Sequence, residues 1–451
     1  MGKERLIVIG GDAAGMTAAS QARRGRKDLE IVAFEKGNYV SYAACGIPYY
    51  VGGLIDGLPE LVIRTPEQFG AKQDIQVRIR QEVVAIRPDE ARVVVRNLET
   101  AQEYEEPYDN LIITTGAKPV RPDLPGVEAK GIYTVSTLDD AQALRQLMEN
   151  ERPARVVIVG GGYIGVELTE TFHRWDVDVS LVARAPSLMR SLDPDMGDKV
   201  AEALSGMGIH LYPGEAATGF EETKGRVTAV TTTQRTLPAD LVIVATGVTP
   251  NSDLAREAGL PLGIKGAIKV DDHMRTPAAG IWAAGDCVET VQLATGRPYW
   301  TSLATIASKQ GRVAGTNLTG GDVAFPGTFG TTITKAGPVE ISHTGVSETD
   351  LQDTGIEFAV GKAEAHTATR YYPTVQPMTV KLIAEVGSGR LLGGQIVGGA
   401  GAAMRINVLA TALQAGMTVD DVATLDLAYA PPFSMVWDPI LLAARDLCSK
   451  C

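Results

Sequence analysis

Two glycine turns of one shape, set 150 residues apart, limit what this chain can fold into. The first follows the apolar run Arg5-Leu6-Ile7-Val8-Ile9 and reads Gly10-Gly11-Asp12-Ala13-Ala14-Gly15 before an Ala-rich helix to about Arg24. The second follows Arg155-Val156-Val157-Ile158-Val159 and reads Gly160-Gly161-Gly162-Tyr163-Ile164-Gly165. Strand, glycine turn and helix open a Rossmann unit. Its first glycine makes the tight turn, its last lets helix pack on strand, and the helix N-terminus receives a pyrophosphate. The second turn has all three glycines; in the first, Asp12 stands at the middle position. The next strand of the first unit, Glu30–Phe34, ends in Glu35, placed to bond a ribose hydroxyl. In the second unit the corresponding strand, Val179–Val182, ends at Ala183, and Arg184 and Arg190 follow. Those cations suit a 2′-phosphate. Two such units in one chain most simply bind two dinucleotides.

The intervening sequence marks where the chain crosses between units. Tyr108 to Ala117 reads as a buried strand ending in Thr115-Gly116, with Pro119, Pro122 and Pro125 close behind. Leu241 to Gly247 echoes it, again with a Thr-Gly end. Ile281 to Asp286 is a further strand ending in Gly-Asp, ahead of a helix from Ser302 to Asn317. From about Ala324 the character changes. Met378–Ile383 and Leu391–Val397 alternate as antiparallel strands around Gly387-Ser388-Gly389, and a helix spans Ala402 to Ala415. The expected fold is α/β, with two Rossmann-like dinucleotide-binding domains and an α+β C-terminal dimerisation domain. The boundaries are 1–119 with 249–322, 120–248, and 323–451.

Composition excludes several functions. The formal net charge of −12 and the lack of a basic tract argue against nucleic acid or an anionic membrane as partner. No apolar run approaches the roughly 18 residues of a membrane span, and the N-terminus carries a motif rather than a cleavable signal, so a cytoplasmic location is expected. Four cysteines, Cys45, Cys287, Cys448 and Cys451, are too few and too uneven for a disulfide framework. Cys448 and Cys451 form a terminal C-x-x-C, either an electron relay on a flexible tail or an incidental pair on a disordered end. A metal there lacks two further ligands, and no metal is expected.

The sharpest chemical signal is Ser41-Tyr42-Ala43-Ala44-Cys45-Gly46-Ile47-Pro48-Tyr49, directly after the first unit. Cys45 should therefore sit where the bound cofactor's reactive ring lies. A helix starting at Gly46-Ile47 would turn its positive end to the sulfur and lower the thiol's pKa. The alternative is a buried structural cysteine.

Taken together, these segments resemble the flavoprotein pyridine nucleotide-disulfide oxidoreductases. Within them the chain is similar to the single-cysteine branch that contains CoA-disulfide reductases, NADH oxidases and NADH peroxidases. The pattern S-[FY]-x-x-C-G-x-P-Y is met by Ser41, Tyr42, Cys45, Gly46, Pro48 and Tyr49, whereas the second cysteine of the two-cysteine branch is absent. Ala44 replaces the Asn common in CoA-disulfide reductases. The resemblance implies FAD at Gly10, Ala14, Gly15, Glu35, Lys36, Ser41, Thr115, Gly116 and Asp286. It implies NADPH, ahead of NADH, at Gly160, Gly162, Tyr163, Ile164, Gly165, Glu167, Arg184, Arg190 and Gly247, with Tyr163 as an aromatic gate over the flavin. It further implies a homodimer in which Tyr429, and Tyr371 or Tyr372 before Pro373, enter the partner's site, with Cys45 and Tyr429 as the principal catalytic pair.

The activity so implied runs from NADPH through FAD and Cys45 to a low-molecular-weight disulfide, persulfide or polysulfide such as CoA disulfide, with CoA itself a candidate ligand. Arg23, Arg24 and Arg64 are candidates for its phosphates. Two alternatives stand beside it. One is an NAD(P)H oxidase or peroxidase with Cys45 as sulfenate, against which Ala14 counts, because those enzymes favour a His near that position. The other is a non-catalytic FAD-binding redox sensor or electron carrier.

Overall fold

The computed structural model describes residues 3–451. The first glycine unit forms a fully parallel five-stranded sheet in the order Ile281–Ala283, Asn110–Ile113, Arg5–Ile9, Glu30–Phe34, Ile75–Arg78. The second repeats it: His210–Pro213, Asp178–Ala183, Arg155–Val159, Leu241–Val244, Ile132–Tyr133, again all parallel. In both, the glycine-turn strand is central and its residues are almost wholly buried, as near-continuous Val/Ile/Leu runs require when helices cover both faces. The repetition extends further, because each unit carries an antiparallel three-stranded meander. These are Gln81–Arg87, Arg92–Asn97 and Glu103–Pro107 in the first, and Ala217–Thr223, Arg226–Thr232 and Thr236–Pro238 in the second.

Two short strands, Ala117–Pro119 and Val248–Pro250, pair antiparallel where the chain leaves and re-enters the first unit. The helix Ala304–Leu318 then returns to pack along Ala13–Gly25, the helix of the first glycine turn. The closeness has a steric cause: a β-carbon at Gly311 or Gly315 would collide with the carbonyl of Ala14 or Ala18.

The C-terminal part is a five-stranded antiparallel sheet, Thr332–Ala336, Val339–Gly345, Leu391–Gly398, Pro377–Glu385 and Phe358–His366. The helices Ile406–Gln414 and Pro439–Cys448 cover it. The segment expected as one helix over Ala402–Ala415 begins as a 3-10 turn at Ala403–Arg405. The terminal tail is not free. Cys448 ends a helix, Cys451 packs on the same core, and the Cys451 carbonyl accepts the Gly387 N–H at 3.4 Å. Among the described residues no helix is long and apolar enough to cross a membrane.

Candidate active site

The first glycine turn is shaped from within. Gly10 adopts φ +106°, a conformation L side chains rarely take, and a β-carbon at Gly15 would strike the Gly10 carbonyl. The same holds for Gly160 and Gly165. Gly162, by contrast, faces open space, so the chain's own packing does not require the absence of a side chain there. Where the first turn holds Asp12, the backbone is extended and the carboxylate turns aside to accept the Tyr42 N–H at 3.2 Å. Burial first, then the charges of Glu35 and Asp286, push its pKa up to about 6.

Glu35 ends its strand as expected and accepts the N–H of Gly11 at 2.8 Å and of Gly37 at 2.7 Å. Asp286 follows Ile281–Ala283 in a turn, accepts the Ser302 hydroxyl and is driven up in pKa by burial. Thr115 and Gly116 lie at the crossing, with the Thr115 hydroxyl bonded to the Asn251 carbonyl and Gly116 at φ +70°. Lys36 is exposed. The residues present therefore fit a dinucleotide: a tight glycine turn, a helix of 13 residues behind it, and an acid at the next strand end.

The Cys45 loop is tied by successive amides to that turn and to Leu61. Ser41 N–H reaches the Gly11 carbonyl at 2.8 Å, Tyr42 N–H reaches Asp12, and Ala43 N–H reaches the Leu61 carbonyl at 2.8 Å. Ser41 holds φ +48°, and Gly46 lies so close to Leu61 that a β-carbon there would strike its side chain. Cys45 is exposed in a 3-10 turn before a single-turn helix, Ile47–Val51. That helix is fixed from the second unit: Arg145, Arg174 and Trp175 donate to the carbonyls of Tyr50, Gly52 and Val51 at 2.9, 3.0 and 2.9 Å.

The electrostatics at the sulfur correct the expectation of a lowered pKa. Burial pushes the Cys45 thiol up, and Glu167, Asp12 and Asp286 add to it, while the single helical turn is too short to reverse them. Cys287 is fully buried, and its pKa is pushed up to about 11. It is an inert core thiol.

On the second unit's helix, Tyr163–His173, three side chains reach the C-terminal sheet. The Tyr163 hydroxyl bonds Thr332, Glu167 accepts from Thr334 at 2.5 Å, and Glu170 accepts the Gly337 N–H at 3.0 Å. Ile164 packs beside them. Arg184 and Arg190 are exposed, and among the described residues neither has a side-chain hydrogen bond or ion pair. Gly247 is exposed at φ +116°. Of the candidate phosphate ligands, Arg23 is already committed to the carbonyls of Gln73, Lys27 and Asp74, at 2.8, 2.7 and 2.8 Å. Arg24 and Arg64 remain exposed.

Tyr371, Tyr372 and Tyr429 lie apart from this assembly within the chain's C-terminal loops. Tyr371 is 73% exposed, and none of the three phenols has a hydrogen-bond partner among the described residues. Sequence reasoning missed the seat that Thr332, Thr334 and His343 provide for Tyr163 and Glu167. Only strand pairing brings these residues together, and no local pattern signals it.

The pyridine nucleotide-disulphide oxidoreductase profile matches residues 4–311, and the dimerisation-domain profile of the same group matches residues 332–439. An NAD(P)H sulfur oxidoreductase (CoA-dependent) of Pyrococcus abyssi is 40% identical over 99% of this chain and 98% of its own length. A solved NAD-dependent persulfide reductase from A. fulgidus is 37% identical, covers 99% of this chain and 83% of its own, and superposes with a TM-score of 0.96. An engineered water-forming NADPH oxidase made from the Lactobacillus brevis NADH oxidase, solved with NADPH, is 28% identical over 99% and 98% with a TM-score of 0.94. In that variant an aspartate becomes alanine, the next residue arginine, and the residue six further on arginine.

Proposed function

This chain belongs to the pyridine nucleotide-disulphide oxidoreductase family, and from that premise we propose that it reduces a low-molecular-weight disulfide, persulfide or polysulfide, such as CoA disulfide, with NADPH. The observation that carries the reading is Cys45. Among the described residues it is the one exposed thiol, held by amide tethers to Gly11, Asp12 and Leu61 beside the first dinucleotide turn, and its loop carries no second cysteine. The names of the relatives, CoA-dependent sulfur oxidoreductase and persulfide reductase, support the same substrate class.

FAD, once bound by the first unit, carries two electrons between nicotinamide and sulfur. The chain's own part is the sulfur chemistry. The Cys45 thiolate attacks one sulfur of the substrate, forming a mixed disulfide and releasing the first thiol. Two electrons and a proton then release the second thiol and restore Cys45. Tyr163 covers the nicotinamide side until the nucleotide enters. Arg184 and Arg190 take the 2′-phosphate; they are free to do so and have the spacing engineered into the NADPH-bound oxidase. Arg24 and Arg64 are the cations available to CoA phosphates, Arg23 being occupied.

The two crossing strands support the domain boundaries 1–119 with 249–322, 120–248, and 323–451. The dimerisation-domain match and the exposed aromatic loops support a homodimer with Tyr429 facing the partner's Cys45. The test is NADPH oxidation by the FAD-loaded protein with CoA disulfide, polysulfide, glutathione disulfide, peroxide and oxygen offered in turn. Turnover with CoA disulfide or polysulfide well above oxygen bears the reading out. Turnover with oxygen or peroxide alone assigns the chain to the oxidases, and turnover with none to the electron carriers.

A further inference from the structure

The hydroxyl of Tyr163 does not end in solvent. It bonds the hydroxyl of Thr332, on the first strand of the C-terminal sheet, and Thr332 Oγ1 lies 3.1 Å from Nδ1 of His343 on the neighbouring strand. The register explains the placement, since Thr332 and His343 are cross-strand partners. His343 is buried, and burial pulls its pKa down, so the imidazole stays neutral and one ring nitrogen keeps a lone pair. With Nδ1 as that acceptor, the Thr332 proton points to His343. The Thr332 oxygen is then left to accept from Tyr163. The chain of donors runs one way, from phenol to threonine to imidazole.

We propose that Thr332, oriented by His343, is a positioning residue that latches the Tyr163 ring closed over the nicotinamide side of the flavin and so sets how readily the nucleotide enters. This deepens the reading above, in which Tyr163 is the gate. The ring cannot swing aside without breaking its hydrogen bond to a different domain. The two helix positions that follow on the same face, Glu167 and Glu170, stay bound to Thr334 and Gly337 and hold the helix itself in place. Opening is therefore a side-chain motion. A nucleotide that binds only the open form sees its affinity reduced by the fraction of time the gate stands open.

Thr332→Val keeps the shape and removes the hydroxyl. In stopped-flow reduction of the FAD-loaded protein, the dissociation constant for NADPH should fall by about two- to tenfold, the range of one net hydrogen bond, while the limiting reduction rate holds. Flavin fluorescence, quenched by a stacked phenol, should rise in the same variant with no nucleotide present, and Thr332→Ser should restore both values. Tyr163→Phe should lower the dissociation constant at least as far as Thr332→Val, because it loses the same hydrogen bond, and adding Thr332→Val to it should lower that constant no further. An unchanged dissociation constant and fluorescence in Thr332→Val, or effects that add in the double variant, would overturn the latch. Failure of wild-type turnover with every sulfur acceptor bears on the substrate reading alone. Fluorescence needs neither acceptor nor nucleotide and still reads the latch.

Discussion

Cys45 combines an accessible side chain with a partly desolvated, acidic setting, and that combination shapes its chemistry more than the helix behind it does. Burial and the carboxylates of Glu167, Asp12 and Asp286 hold its pKa above that of an ordinary thiol. Below that pKa each unit of pH removes about nine-tenths of the remaining thiolate, so alkylation by iodoacetamide should accelerate as pH rises from neutral. Glu167→Gln removes one negative neighbour and should move that profile to lower pH; a profile that stays put would remove Glu167 from the account. Cys45→Ser should keep FAD and its reduction by NADPH, because hydride transfer precedes sulfur chemistry, yet lose disulfide turnover. Stopped-flow measurement separates the two half-reactions. At the second site, Arg184→Ala and Arg190→Ala should each cut kcat/KM for NADPH by about tenfold or more and leave NADH nearly unaffected, since each removes one charge-assisted contact to a phosphate that NADH lacks. Cys45 was legible in the sequence because its signal is local: nine consecutive residues after a dinucleotide turn. The direction of its pKa was not, because the three acids come from positions 12, 167 and 286 and meet only in the fold.

Among elements, the glycine turns and their strands were legible because periodicity and steric need are written within a few residues. The echo at Thr115-Gly116 and Thr246-Gly247 marks where the chain crosses between units, whereas the duplicated three-stranded meander emerges only in the fold. Contacts between domains were not legible, and the most consequential is ionic. Lys381, in the middle of the C-terminal sheet and 4% exposed at its side chain, lies 3.0 Å from Asp193, 2.7 Å from Asp195 and 2.5 Å from Glu348. Asp193 is wholly buried and is also held by Gln395 at 2.7 Å and the Glu348 N–H at 2.9 Å. Burial alone would drive the Lys381 ammonium down, but the hydrogen bonds it donates to Asp195, Glu348 and Asp193 outweigh burial and hold its pKa above the usual value. Asp193 lies three residues beyond Arg190, so this cluster anchors the end of the segment that carries both nucleotide-binding arginines. Lys381→Met leaves Asp193 buried without its cation and should cost about 3–5 kcal/mol of stability, read as a lower denaturant midpoint. The companion change Asp195→Asn, at a half-exposed carboxylate, should cost far less. Equal losses would mean that the charges act as a surface network rather than as a buried anchor.

At the scale of the whole molecule, one surface has no function within a single chain. Tyr371, Met404, Tyr429, Phe433, Val436 and Trp437 are all exposed, with Phe433 at 75%, a concentration of large apolar side chains of the kind that marks an interaction site. The loops that bear them are not loose. Thr369 N–H bonds the Pro431 carbonyl at 3.1 Å, the Thr369 hydroxyl bonds the Ser434 carbonyl at 3.3 Å, and Arg405 joins the Thr367 carbonyl at 2.9 Å to Asp438 at 3.2 Å. A rigid apolar face inside a segment matching a dimerisation domain fits a second copy of the chain, and two-fold symmetry then makes two equal sites. The proposed function has Tyr429 of one subunit serve Cys45 of the other. Tyr429→Phe should slow release of the thiol, by about 10²-fold if the phenol supplies its proton, and leave flavin reduction intact. Mixing Cys45→Ser subunits with Tyr429→Phe subunits tests the geometry directly. In the heterodimer one site carries both lesions and the other carries neither, so disulfide turnover should reappear at up to half the wild-type value per dimer once subunits exchange. If labelled subunits prove to exchange and turnover stays absent, both residues act within one chain and the exposed face must be reassigned.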